Sequence, residues 1–159
     1  MNIFTAGHKK LLVDLLNSNV EFILIGGFAV NYHGYPRYTG DMDIWLKPDD
    51  ENKFKFISFL ELRGFNNNSI DHIKELDFRA AQTFHIGANE NRIDFLTKIS
   101  GVEFNEAYAN CVYISLIDKK IPVIRYRHLI INKMMSSRAK DKADVDELQK
   151  INRFKKNKS

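Results

Sequence analysis

The chain has 159 residues, 44% of them hydrophobic and 28% charged, a balance that fits one globular domain and excludes a disordered or two-domain chain. Its formal charge of +4 suits polyanionic partners but decides little, because part of the excess sits in Arg153, Lys155, Lys156 and Lys158 at the C-terminus. No apolar run approaches the ~20 residues of a membrane span, the N-terminus lacks the apolar centre of a secretory signal, and the single Cys111 excludes an internal disulfide or a cysteine-rich zinc site, so a cytoplasmic protein is expected.

Thr5 is a good helix cap, and Leu11, Leu12, Leu15 and Leu16 behind it predict an amphipathic helix ending near Asn17-Ser18-Asn19. Residues 22–25 read as a buried strand stopped by Gly26-Gly27, and residues 28–33 as a short helix ended by Gly34. The start of that helix sets unpaired backbone N–H groups beside the two glycines, an arrangement that attracts anions. Residues 34–40 form a loop, since Pro36 and two glycines oppose helix, and Arg37 and Thr39 fall just ahead of the next strand. In the run 41–46 the side chains alternate, so Asp41 and Asp43 share one face while Met42 and Ile44 share the other. Two carboxylates held that close are unfavourable unless a cation lies between them or one is protonated. An all-oxygen site of this kind suits magnesium completed by water and phosphate oxygens.

Lys47-Pro48-Asp49-Asp50 opens a helix with Phe54, Ile57 and Leu60 as its core stripe and Gly64 as its stop. Residues 66–69 read as a polar loop and 70–82 as an irregular segment. Residues 83–86 and 92–96 predict a hairpin around Gly87. Ile93 and Phe95 must face the core, so Asp94 faces away; on a strand beside Asp41 and Asp43 it becomes a third carboxylate, a reading that low strand propensity favours over that of a routine polar residue on a half-exposed strand. His33, His72, His85 and His128 read as hydrogen-bonded, half-buried residues, and no two have zinc-site spacing. Residues 101–109 predict a short helix, and 112–116 with 121–123 a second hairpin turning at Asp118-Lys119-Lys120. Two helices follow, 128–135 with Leu129, Ile130 and Met134 on the apolar side, and 141–151 with Val145, Leu148 and Ile151, then a basic, flexible tail over 151–159. Lys133 lies among the apolar residues of the first. It either meets Asp141 or Asp144 in a salt-bridge network or reaches a phosphate.

The order strand, Gly-Gly, short helix, loop, Asp-x-Asp strand and later lone carboxylate resembles the nucleotidyltransferase superfamily typified by DNA polymerase beta. LIGGFAVNYHGYPRYTGDMDIWL, RIDFLT and NKMMSSRAKDKADVDEL are similar to small bacterial stand-alone members related to abortive-infection and toxin-type enzymes. The resemblance implies an α+β nucleotidyltransferase fold, a mixed and mostly antiparallel sheet flanked by helices with further helices at the C-terminus, over residues 1–150. It implies transfer of a nucleoside monophosphate from a nucleoside triphosphate to an acceptor hydroxyl on a small molecule, protein or RNA, with release of pyrophosphate. Asp41, Asp43 and Asp94 would hold two magnesium ions, for which manganese could serve, and Gly26, Gly27, Arg37, Thr39 and Lys133 would meet the nucleotide phosphates. Many members have Gly-Ser where this chain has Gly26-Gly27, so backbone N–H groups must replace a serine hydroxyl. A homodimer or an antitoxin-like partner is a further expectation. The rival reading is a toxin-like or catalytically degenerate nucleotide- or RNA-binding protein that acts through such a partner. No Gly-x-x-x-x-Gly-Lys run occurs, which excludes a P-loop enzyme.

Overall fold

The computed structural model describes residues 3–158. Thr5 caps α1 (Ala6–Asn17): its hydroxyl accepts from the His8 N–H while its own N–H donates to the His8 ring, and Leu11, Leu12 and Leu15 face the core. The apolar run β1 (Phe22–Ile25) is buried at every residue. It leads into α2 (Gly26–Tyr32), which takes in both glycines instead of following them. The carboxylate strand is β2 (Met42–Leu46), with Asp41 just ahead of it. Asp49 caps α3 (Asp50–Leu62), where the buried Asn52 accepts from the Glu21 N–H and donates to the Glu21 and Lys47 carbonyls, tying the helix to the outer ends of β1 and β2.

Next come α4 (Asn67–Glu75), β3 (Thr83–Ile86), a 3-10 turn over Asn89–Asn91 and β4 (Ile93–Leu96). Then follow α5 (Phe104–Ala109), β5 (Val112–Leu116), β6 (Lys119–Val123), α6 (Tyr126–Met134) and α7 (Ala139–Lys158). The six strands form one sheet in the order β3-β4-β2-β1-β6-β5. Pairings β1 with β2, β3 with β4 and β5 with β6 are antiparallel, whereas β2 with β4 and β1 with β6 are parallel. The fold is therefore α+β, a mixed and mostly antiparallel sheet with helices packed on it and two helices at the C-terminal end. No described helix is long and apolar enough to cross a membrane.

Register explains which residues meet. Ile44 pairs with Leu24 and Phe95, and Phe95 with Phe84, so one face carries an apolar row across four strands. Phe56 of α3 lies on that row, its ring centroid 4.9 Å from that of Phe95 and 5.6 Å from that of Phe84.

Several expectations are corrected. Phe54 is 72% exposed and is no core residue; Phe56, Phe59 and Leu60 carry the packing, with Ile57 beside them. Residues 67–75 are helical, not loop and irregular chain, because Asn66 accepts from the Ser69 N–H as a cap and Ile70 and Ile73 bury one face. The second hairpin turns at Ile117-Asp118, with Ile117 left-handed at φ 57°, so Lys119 and Lys120 already belong to β6. Met134 is exposed, and the inner side of α6 is His128, Leu129, Ile130 and Lys133. His85 and His72 are exposed, not half-buried. The final helix starts at Ala139 and continues to Lys158 through the basic segment.

Candidate active site

The site begins with a row of register partners. Asp43 pairs with Ile25 on one side and Asp94 on the other, and Asp94 pairs with His85. Directly paired residues project from the same face of a sheet, so the Asp43 and Asp94 carboxylates stand side by side, opposite the buried Met42, Ile44, Ile93 and Phe95. Burial first, then the charges of Asp94 and Asp41, raise the Asp43 carboxyl from its usual 3.8 to about 6; Lys133 and Arg138 pull against this. A carboxylate so loaded is short of positive charge. Arg92 supplies part of it, holding Asp94 at 2.9 Å. Among the described residues no group of three or more His, Cys, Asp or Glu side chains forms a metal site as it stands. The donors available are carboxylate oxygens, which fit a hard divalent cation whose shell is completed by water and phosphate oxygens.

Gly26 has φ +66°, and a Cβ there would lie 2.1 Å from Asp43 Oδ2, so the backbone can approach the carboxylate only because the residue is glycine. At Gly27 a Cβ would lie 2.2 Å from Thr39 Oγ1 and 3.4 Å from a guanidinium nitrogen of Arg37. Thr39 thus fills the space a serine side chain at position 27 would need. Its hydroxyl donates to the Asp41 carbonyl at 3.3 Å, and the Arg37 N–H donates to Asn31 Oδ1 of α2 at 3.1 Å, so the loop is folded back onto the start of the site.

Arg37 and Lys133 come together from sequence positions far apart, and what joins them is acidic. Arg37 donates Nε and Nη2 to the two oxygens of Asp144 at 2.6 and 2.8 Å. The Lys133 ammonium sits 2.9 Å from Asp144 and 2.9 Å from Asp141, and Arg138 holds the other oxygen of Asp141 at 2.9 Å. Lys133, Asp141 and Asp144 are 5%, 3% and 1% exposed, so these are desolvated contacts. Burial pushes the Asp141 carboxyl up, but hydrogen bonds from Ser136 and Lys133 outweigh it and hold the group at about 2. Asp144 is likewise held low: burial opposes, and Arg37 and Lys133 prevail.

A cleft of about 690 Å³ is lined by Gly26, Asp43, Lys98, Lys133, Ser136 and Arg138 among others, whereas Gly27, Arg37, Thr39, Asp41 and Asp94 are not among its described lining residues. Two clefts of similar size, about 720 Å³ between α6 and α7 and about 680 Å³ beside β3, have no carboxylate among the described residues that line them. Arg92, Lys98 and Ser136 escape sequence reasoning. Only Arg92 leaves a trace, two residues ahead of Asp94 on extended chain and hence on the same side.

No protein-family profile matches the sequence, and no curated protein matches it. Among solved structures the chain is similar to the crystal structure of the lincosamide antibiotic adenylyltransferase LnuA with lincomycin bound, at 16% identity and a TM-score of 0.55, over 95% of this chain and 99% of that one. Identity that low carries the architecture alone: the chain has a nucleotidyltransferase fold.

Proposed function

We propose that the protein is a divalent-metal-dependent nucleotidyltransferase that moves a nucleoside monophosphate from a nucleoside triphosphate to an acceptor hydroxyl. The observation that carries this reading is the pairing of Asp43 with Asp94 across β2 and β4, with Asp43 on a cleft that Gly26 and Lys133 also line. Asp41, Asp43 and Asp94 would hold magnesium or manganese, which when bound supplies Lewis-acid stabilisation of the attacking and leaving oxygens. The backbone N–H groups of Gly26 and Gly27 at the start of α2 would meet the polyphosphate, and Lys133 of α6 would add a cation. The acceptor oxygen bonds to the α-phosphorus as its bond to the pyrophosphate oxygen breaks, and the acceptor proton passes to Asp94. Loss of pyrophosphate completes the exchange.

The acceptor is a hydroxyl on a small molecule, protein or RNA, and likeness to an adenylyltransferase with lincomycin bound puts small hydroxyl compounds first in a screen. The test incubates the chain with each labelled nucleoside triphosphate, magnesium and candidate acceptors, following label and pyrophosphate. Asp43→Asn should abolish turnover in a folded protein. Turnover unchanged in that variant overturns the assignment. A wild type that binds neither magnesium nor triphosphate by calorimetry would instead favour the partner-binding reading.

A further inference from the structure

We propose that Asp144, backed by Asp141, is a positioning residue for the substrate polyphosphate. With one carboxylate it holds the Lys133 ammonium of α6, which lines the cleft, and Arg37 of the loop whose Thr39 lies against Gly27. The inference rests on the reading that the cleft takes a nucleoside triphosphate.

A lysine has a flexible four-carbon stem, and an unheld ammonium would sample many rotamers. Here Asp141 and Asp144 engage Nζ at 2.9 Å each. An ammonium group carries three N–H donors, so two carboxylates leave one for a ligand in the cleft that Lys133 lines. The charge count agrees. Arg37, Lys133 and Arg138 set three positive charges against two negative ones, so the cluster keeps one unit of positive charge beside the cleft. Both carboxylates are saturated by protein cations, Asp144 through a two-toothed contact with Arg37, so neither repels an incoming phosphate at full strength.

The experiment titrates inorganic tripolyphosphate into the full chain by calorimetry, and separately measures KM and kcat for the triphosphate substrate. Asp144→Asn should weaken tripolyphosphate binding about tenfold and raise KM by a similar factor with a smaller change in kcat. In a Lys133→Met background the same substitution should have little further effect. If Asp144→Asn does not fold, Asp141→Asn decides the question, since its second partner, Arg138, is 74% exposed in its side chain and can relax into water. Removing a negative charge without a positioning role would leave polyphosphate affinity unchanged or raise it, and either result in a folded variant overturns the proposal alone. A wild type that binds neither tripolyphosphate nor nucleotide overturns the proposal together with the functional reading beneath it.

Discussion

At the scale of single residues, Asp43 sets function against stability. Its carboxyl is shifted upward from 3.8 to about 6, so between those pH values the metal-free folded chain keeps a proton that the unfolded chain has released. Stability must fall as pH rises through that window, by about 3 kcal/mol in all. Asp43→Asn removes the cost: the metal-free variant should be up to about 3 kcal/mol more stable at pH 7, read from urea midpoints, while losing turnover. A variant less stable than wild type at that pH would deny that the carboxylate is frustrated. Gly26 offers a second test. Gly26→Ala forces a side chain onto φ +66° and toward Asp43 Oδ2, costing about 1–2 kcal/mol in backbone strain alone and, by displacing the carboxylate, about 10²-fold in turnover. Gly64 has a similar φ of +77°, and a Cβ there would meet nothing within 4 Å, so Gly64→Ala should lose comparable stability and keep its activity. Equal activity losses in the two variants would count against the contact with Asp43.

At the scale of elements, α3 shows where apolar pattern runs out. Phe54, Phe56, Ile57, Phe59, Leu60 and Leu62 place apolar groups nearly all round the helix, so spacing alone does not fix which face is inward. The sheet decides it: Phe84 and Phe95 offer a row of rings that Phe56 meets, with Phe59 packed against Phe56, leaving Phe54 and Leu62 in solvent. Phe56→Ala should therefore cost about 3–5 kcal/mol and Phe54→Ala no more than about 0.5 kcal/mol. Chemical denaturation of both variants checks the pair, and a comparable loss in each would contradict the packing. The same limit hides α4, whose buried face amounts to Ile70 and Ile73 within an otherwise polar stretch. Strands are far more legible. β1, β2 and β4 are short apolar runs, and the acidic residue that interrupts the second and third of them is what marks Asp43 and Asp94. The pairing of β2 with β4, which sets those two residues side by side, requires the sheet order and cannot be read from either segment.

At the scale of the whole molecule, the cluster of Arg37, Lys133, Arg138, Asp141 and Asp144 binds the loop before β2 to the last two helices across 107 positions of sequence. Charges that meet at such separation leave no periodic trace, which is why the sequence assigns Lys133 equally well to a phosphate or to a salt bridge, and gives no sign of the partner of Arg37. The cluster also has a pH signature. Asp141 titrates near 3.8 when unfolded and at about 2 when folded, so its contribution is fully present above the unfolded value and is lost as pH falls from about 4 toward 2. That window is worth about 2 kcal/mol for Asp141, and Asp144, also held low, acts in the same direction. His8, His33 and His128, lowered chiefly by burial, steepen acid loss near their own range in every variant and cancel in a difference. Urea midpoints of wild type and Asp141→Asn at several pH values from 7 to 2.5 isolate the effect. The gap between the two should be widest above pH 4 and should narrow by about 2 kcal/mol toward pH 2, whereas the gap between wild type and Asp43→Asn should change only between about pH 4 and 6. An Asp141→Asn gap that stays constant down to pH 2.5 would mean that Lys133 and Arg138 do not hold this carboxylate in solution, and the anchor joining the N-terminal loop to the C-terminal helices would have to lie in Asp144 alone.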